Sequence, residues 1–274
     1  MHDVAMLAAL AYPQFDPVAV QIGPLAIRWY ALAYMFGLLG AWFYARRLVD
    51  LSPSGLTRLD IDDFLVWATL GVVLGGRLGY ILFYRPAFFL ANPHEVFFLW
   101  HGGMSFHGGF LGVITAGWLF CRRKNISFIY LTDILACVTP IGLFLGRIAN
   151  FINGELWGRT TDVAWGMVFP GAGPLPRHPS QLYQATLEGV VLFLFLLVVT
   201  AGGGLRRHGL LSGCFLLGYG LARMVGELFR QPDPQLGFLV AGITMGQLLS
   251  LPMVLGGLAL IIQARRRPPA GRAS

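Results

Sequence analysis

The sequence predicts an all-α integral membrane protein with seven transmembrane helices, on three observations. Its 274 residues are 56% hydrophobic and only 12% charged, where a soluble domain carries about 25% charged residues. The apolar residues come in long runs that approach the ~20 residues needed to cross a bilayer, without the strict alternation of a membrane β-barrel. Most of the arginines and lysines fall at every second end of those runs.

Residues 1–25 are moderately apolar, carry Pro13, Pro17 and Pro24, and are expected to lie along the membrane surface or to pack on the bundle. The run from about Ala26 is too long for the apolar core of a signal peptide and ends in Arg46-Arg47, so it reads as a retained span. Spans are expected at 27–46, 63–84, 104–121, 128–148, 181–201, 209–228 and 242–263. They form one transmembrane domain over 1–274, with an outer segment at 1–26, an outer active-site loop at 149–180 and a tail at 264–274.

Arg46, Arg47 and Arg58 follow the first span; Arg122, Arg123 and Lys124 follow the third. Arg206 and Arg207 follow the fifth, and Arg265, Arg266, Arg267 and Arg272 the seventh. Twelve of the 20 basic residues therefore share one side if seven spans alternate. The positive-inside rule makes that side cytoplasmic, which puts the N-terminus outside and the C-terminus inside. The net charge of +7 thus belongs to membrane orientation, and no nucleic-acid partner is expected.

The other eight basic residues are Arg28, Arg77, Arg85, Arg147, Arg159, Arg177, Arg223 and Arg230, inside spans or at their outer ends. Arginine stays charged when buried and binds phosphate through two parallel N–H groups, so this pattern points to an anionic group held near the outer leaflet. Gly71, Gly75 and Gly79 step along the second span at the spacing of close helix packing. Arg77 lies among them, with Asp133 as an expected partner. Cys121, Cys137 and Cys214 lie in or beside apolar runs without ligand spacing, which argues against a disulfide framework or a zinc site and favours the core.

Four stretches carry candidate chemistry. The first, Gly146-Arg147-Ile148-Ala149-Asn150-Phe151-Ile152-Asn153-Gly154-Glu155-Leu156-Trp157-Gly158-Arg159, becomes abruptly polar after an apolar run. It reads as backbone lining a cavity at membrane depth rather than a solvated loop; the plainer alternative is a snorkelling arginine at a helix end. The second, Trp100 to Gly109, holds His101 and His107 between glycine pairs. Their spacing does not share a helical face, so no metal pair is indicated. His107 is a candidate proton acceptor or a hydrogen-bonded structural histidine; His101 favours the structural role. Ser105 beside His107 lacks a nucleophile elbow and an orienting acid. The third, Pro176 to Gln184, reads as a helix start at Pro179-Ser180, with His178 and Gln181 at the mouth of the cavity. The fourth places Tyr219, Arg223, Glu227 and Arg230 on one face of the sixth span, with Arg223–Glu227 as an i,i+4 ion pair.

Together these stretches resemble one family, the bacterial phosphatidylglycerol–prolipoprotein diacylglyceryl transferases. The family signature is Gly-Arg-any-(Gly or Ala)-Asn-Phe-aliphatic-Asn-any-Glu-two residues-Gly, and Gly146 to Gly158 fits it throughout, with Ala149 in the variable small position. Similarity extends to Gly75–Tyr84, His101–Gly109, Arg177–Tyr183 and Tyr219–Asp233. Two departures stand out. The outer segment between Phe169 and Pro176 is short, and Gln184 stands where a member can carry an acid, so no base is assigned there.

The resemblance implies a multi-pass enzyme of the bacterial inner membrane with its site towards the periplasm. Such an enzyme moves the diacylglyceryl group of phosphatidylglycerol to the lipobox cysteine of a prolipoprotein signal peptide and releases glycerol phosphate. Its partners are that lipid, that peptide and the bilayer, and no metal or organic cofactor is required. Carried over by the resemblance are His107, Arg147 and Arg223 as catalytic residues. Tyr30, Asn150, Glu155, Gly158, Tyr219 and Glu227 are carried over as substrate-binding. From the residues alone, two other classes compete: a transporter for an anionic lipid or metabolite, and a structural scaffold that anchors anionic lipid. The transporter reading lacks a visible internal repeat, and its candidate residues gather at one membrane face rather than the midplane.

Overall fold

The structure, a computed structural model, describes residues 10–53, 55–232, 237–239 and 242–269. Residues 1–9 of the expected outer segment, 270–274 of the expected tail with Arg272, and Asp233 lie outside the described residues.

Among the described residues, seven helices of 19 to 26 residues follow the apolar runs. They are α1 (Trp29–Val49), α2 (Arg58–Phe83), α3 (Phe106–Lys124), α4 (Phe128–Ile152), α5 (Ser180–Ala201), α6 (Leu210–Phe229) and α7 (Met245–Arg266). Four of them, α2, α4, α5 and α7, are long and apolar enough to cross a membrane. The other three are diluted by Trp, Tyr, Gly or terminal charges.

Local chemistry sets the helix ends. The Thr57 side chain accepts from the Asp60 amide while the Asp60 carboxylate accepts from the Thr57 amide. That reciprocal cap starts α2 five residues before the expected boundary. Ser105, buried, caps α3 through the Gly108 amide at 3.2 Å, which gives it a structural task rather than a nucleophile's. The α4 helix runs past the expected 148 to Ile152, so Asn150 is helical rather than in the following loop. Tyr12 stops α4: its hydroxyl lies 2.5 and 2.8 Å from the Phe151 and Ile152 carbonyl oxygens, which satisfies acceptors left open at a helix end. Tyr12, Phe151 and Phe169 form a small core around that contact.

The all-α expectation is corrected in detail by two short two-stranded sheets. Strand β1 (Leu10–Ala11) pairs in parallel with β4 (Met167–Val168), and β2 (Val18–Ile22) pairs antiparallel with β3 (Leu25–Arg28). The latter is a hairpin of β-branched residues closed by Gly23-Pro24, with Gly23 at φ +57°.

The chain forms two compact units, one from Met1–Tyr44 with Asp133–Gly271, the other including Ala45–Thr132. In the second, α2 packs on α3 through glycines, as expected from Gly71, Gly75 and Gly79: a Cβ on Gly75 would stand 2.4 Å from the Gly108 carbonyl oxygen. Arg77 is buried there, and its guanidinium donates to backbone carbonyls of Glu95, Val96, Phe98 and Gly102. At the other end Lys124 bridges Asp60 and Asp63 at 2.9 and 2.8 Å. In the first unit, Asp133 is buried and accepts from the Gly209 and Ser212 amides and the Ser212 hydroxyl, each at 2.7 Å. The carboxylate thus caps the positive end of α6, and the expected Arg77–Asp133 pair is replaced by these separate partners. The three cysteines are free and buried, as core residues.

Candidate active site

The signature stretch turns the end of α4 into a scaffold within the first unit. Asn150 is buried on the last turn and donates through Nδ2 to Glu155 Oε1 at 2.8 Å, with the Tyr30 hydroxyl at 3.4 Å. Tyr30 stands on the first turn of α1 with its ring 5.2 Å from Tyr34. The segment after α4 is stitched to the start of α5: Gln181 Nε2 donates to the Glu155 carbonyl at 2.6 Å and the Ser180 hydroxyl to the Leu156 carbonyl at 3.1 Å. Leu156 takes φ +57°, in the left-handed region, a cost tolerated where surrounding bonds over-determine the backbone.

Gly158 closes this scaffold. Its amide donates to the His178 carbonyl at 2.9 Å, the Arg159 amide donates to the Phe229 carbonyl at 2.8 Å, and Gly158 forms an antiparallel bridge with Arg230. Three chain segments therefore meet at one residue. A Cβ there would lie 2.5 Å from the His178 carbonyl oxygen and 2.6 Å from that of Phe229. The site places Gly158 by backbone approach and shows no side-chain role for it, since it has none.

Beside the scaffold, α4, α5 and α6 contribute a chain of alternating charges. Arg147 Nη2 stands 3.2 Å from Glu188 Oε2; Arg223 Nη1 is 3.6 Å from Glu188 Oε1, and its Nη2 is 2.6 Å from Glu227 Oε1. Arg230 Nη1 is 3.6 Å from the same Glu227 oxygen. The carboxylates are almost fully buried while the arginine side chains keep 12–16% of their surface. Three guanidiniums, Arg147, Arg223 and Arg230, thus gather around two buried carboxylates in a poorly solvated setting. Tyr219, stacked on Phe215 at 5.7 Å, lies within electrostatic range of Glu188 and the three arginines.

The remaining arginines are taken up differently. Arg159 donates to the Arg230 and Glu227 carbonyls at 3.0 and 2.9 Å, and Arg177 to the Gly158 carbonyl at 3.2 Å. Arg85, in the second unit, stacks on Phe88, and Arg28 ends the hairpin strand β3. His178 makes a relay with Tyr183 (3.2 Å to the hydroxyl), which also accepts from the Trp165 indole at 2.6 Å. Burial holds the His178 imidazole below its usual pKa, partly opposed by Asp162.

Comparison with known proteins decides the relationship. A family model described as "Prolipoprotein diacylglyceryl transferase" matches residues 17–263. The chain belongs to that family. It is 60% identical over 267 residues to a phosphatidylglycerol–prolipoprotein diacylglyceryl transferase of Rhodospirillum rubrum, covering 96% of this chain and 97% of the relative. A transferase of the same name from Paramagnetospirillum magneticum is 61% identical over 264 residues, with 96% and 98% covered. One from Azospirillum brasilense is 54% identical over 268 residues, with 96% and 100% covered.

Of the family residues named from the sequence, the structure brings Tyr30, Asn150 and Glu155 into one hydrogen-bonded group. Arg147, Arg223 and Glu227 join the ionic chain, with Tyr219 in electrostatic range, and Gly158 fastens the scaffold. His107 belongs to the second unit, exposed on the first turn of α3 with its ring 5.7 Å from Phe106. His101, also there, bonds Glu95 at 2.8 Å, a structural role. The residue that sequence reasoning missed is Glu188, the hub of the ionic chain. The signal was present: a single carboxylate within an otherwise apolar span, where an ionisable group is a functional candidate by default.

Proposed function

We propose that this protein transfers the diacylglyceryl group of phosphatidylglycerol to the lipobox cysteine of a prolipoprotein signal peptide, as the names of its relatives describe for them in part. The observation that carries this reading is the cluster of three guanidiniums, Arg147, Arg223 and Arg230, gathered on the buried carboxylates Glu188 and Glu227. In the reaction the cysteine sulfur attacks the glyceryl carbon next to the phosphate ester oxygen. A C–S bond forms, the C–O bond breaks, and the phosphate departs with the electron pair as glycerol phosphate. The leaving group gains charge as it departs, and fixed guanidinium groups in a dry site stabilise that charge best. Arg147 and Arg223 fill this role.

A free thiol has a pKa of about 8.5 and reacts as the thiolate. The base that takes its proton is assigned, by resemblance, to His107. Asn150, Glu155 and Tyr30 hold the headgroup, and Glu227 orients Arg223. The seven helices are taken as seven spans across the bacterial inner membrane. On that reading the N-terminus and the site lie towards the periplasm and the arginine-rich ends towards the cytoplasm. No cofactor is required by this chemistry.

The test is turnover. Purified protein in detergent is mixed with phosphatidylglycerol and a lipobox peptide, with the peptide followed by mass spectrometry and glycerol phosphate assayed. The expected result is a diacylglyceryl mass gain on cysteine with stoichiometric glycerol phosphate. Tight lipid binding without product, where a related transferase works, returns the protein to the transporter or scaffold class.

A further inference from the structure

Glu188 is fully buried in the middle of an apolar helix, where a carboxylate is costly unless it is paired. Its two oxygens are divided between guanidiniums on two other helices: Oε2 lies by Arg147 of α4 and Oε1 by Arg223 of α6. Two guanidiniums brought to one site repel each other, and the carboxylate is the counter-charge that both share. The backbone is shaped for this. Residues Ala185–Val191 of α5 are wound as a π-helix, a rare form found mostly at functional sites, and Glu188 sits at its centre. The next residue, Gly189, admits α4: a Cβ there would lie 2.6 Å from Phe144 Cβ and 2.9 Å from Phe144 Cα. Phe144 precedes Arg147 by one helical turn on the same side, so this contact sets the reach of Arg147.

We propose that Glu188 is a positioning residue of the transferase. It touches no reacting atom; it holds the Arg147 and Arg223 guanidiniums together and leaves their remaining N–H groups to the phosphate. This rests on the transferase reading above. The charge arithmetic separates positioning from simple attraction. Glu188→Gln keeps the shape and removes one negative charge, so the site becomes more positive by one unit. Attraction alone then predicts lipid binding as tight or tighter. Loss of positioning predicts slower chemistry, because misplacing a charge-stabilising group by ~1 Å costs about a hundredfold.

The experiment measures kcat and KM for phosphatidylglycerol in wild type, Glu188→Gln and Gly189→Ala, with thermal unfolding of each and rates normalised to folded protein. For Glu188→Gln the expected result is a kcat lowered at least about tenfold, with KM unchanged or lower. Glu188→Asp, which restores the charge on a shorter arm, recovers part of the loss. Gly189→Ala leaves the carboxylate intact but displaces α4, and lowers kcat as well. A Glu188→Gln enzyme with kcat within about twofold of wild type overturns the proposal. So does a kcat loss that disappears on normalisation, or a raised KM at constant kcat. Wild-type protein without turnover, under conditions where a related transferase works, overturns the transferase reading and this inference with it.

Discussion

Gly158→Ala concentrates the reasoning in one methyl group. The added Cβ would stand 2.5 Å from the His178 carbonyl oxygen and 2.6 Å from the Phe229 carbonyl oxygen, where ordinary contact begins at 3.4 Å. Ordinary contact requires about 0.9 Å of relief from the first oxygen and about 0.8 Å from the second, and the His178 Cβ at 2.7 Å crowds the same space. Both oxygens are backbone atoms and already accept hydrogen bonds from Gly158 and Arg159. Overpacking of this kind costs about 1–3 kcal/mol, and each hydrogen bond broken in relief adds roughly 1 kcal/mol. A shift of that size also carries Arg159 off the Arg230 and Glu227 carbonyls, which it holds at 3.0 and 2.9 Å, and so disturbs the end of α6 that bears Glu227. Displacement near 1 Å at a reacting site costs about a hundredfold in rate. The assay is the initial rate of diacylglyceryl transfer to a lipobox peptide, with thermal unfolding alongside and Gly142→Ala as control. Gly142 lies on α4 with nothing within 4 Å of an added Cβ, and its substitution is neutral or slightly stabilising. A Gly158→Ala enzyme with wild-type rate and unfolding temperature refutes the steric account.

Arg147→Lys replaces a planar fork with a point charge; turnover falls by about tenfold or more, and a normal rate removes the argument that Nε and Nη2, at 3.4 and 3.2 Å from Glu188, fix the guanidinium plane. His107→Gln is expected to lose turnover at neutral pH, and full activity with lipid and peptide rules His107 out as the base. His178 bears on stability. Its folded pKa is depressed, so between that value and the unfolded value of about 6.5 the unfolded chain binds more protons, and stability is lost as pH falls through that window. Thermal unfolding from pH 7.5 to pH 5 should show this slope in wild type and a flatter one in His178→Gln; equal slopes contradict it. In the second unit, Gly75→Ala drives a Cβ to 2.4 Å from the Gly108 carbonyl oxygen, and a loss of about 1–3 kcal/mol in chemical unfolding checks it.

What could be read in advance follows from how local each signal is. The helices were legible because an apolar run long enough for a helix advertises itself, and the Arg223–Glu227 pair because i and i+4 meet on a helix whatever surrounds it. The Thr57–Asp60 cap was equally local, yet it sits among charges that read as a loop. Arg77 was misassigned for a physical reason: its partners are carbonyl oxygens, and a backbone acceptor has no letter in the sequence. Gly158 shows the same limit, since the two oxygens that exclude a side chain come from segments far along the chain. Glu188 was masked by its neighbours, being counted into a run of Leu, Val and Phe whose average polarity hid one carboxylate. The hairpin at Val18–Arg28 was hidden by brevity, because four- and five-residue strands carry too few residues for alternation to stand out.

The Tyr12 contact has a bearing on biogenesis. Its hydroxyl caps a helix end 139 residues further along the chain, and β1 beside it pairs with β4, beyond the same helix. A chain made from its N-terminus therefore presents Tyr12 long before there is anything for it to hold. The α4 terminus, with the signature residues that follow, can be locked only after the first segment has waited for several helices to be made. Assembly of the active region is in this sense a closing event, completed by the oldest part of the chain upon a later one. Blocking that first segment during synthesis would yield a protein with its helices formed and its signature loop unfastened.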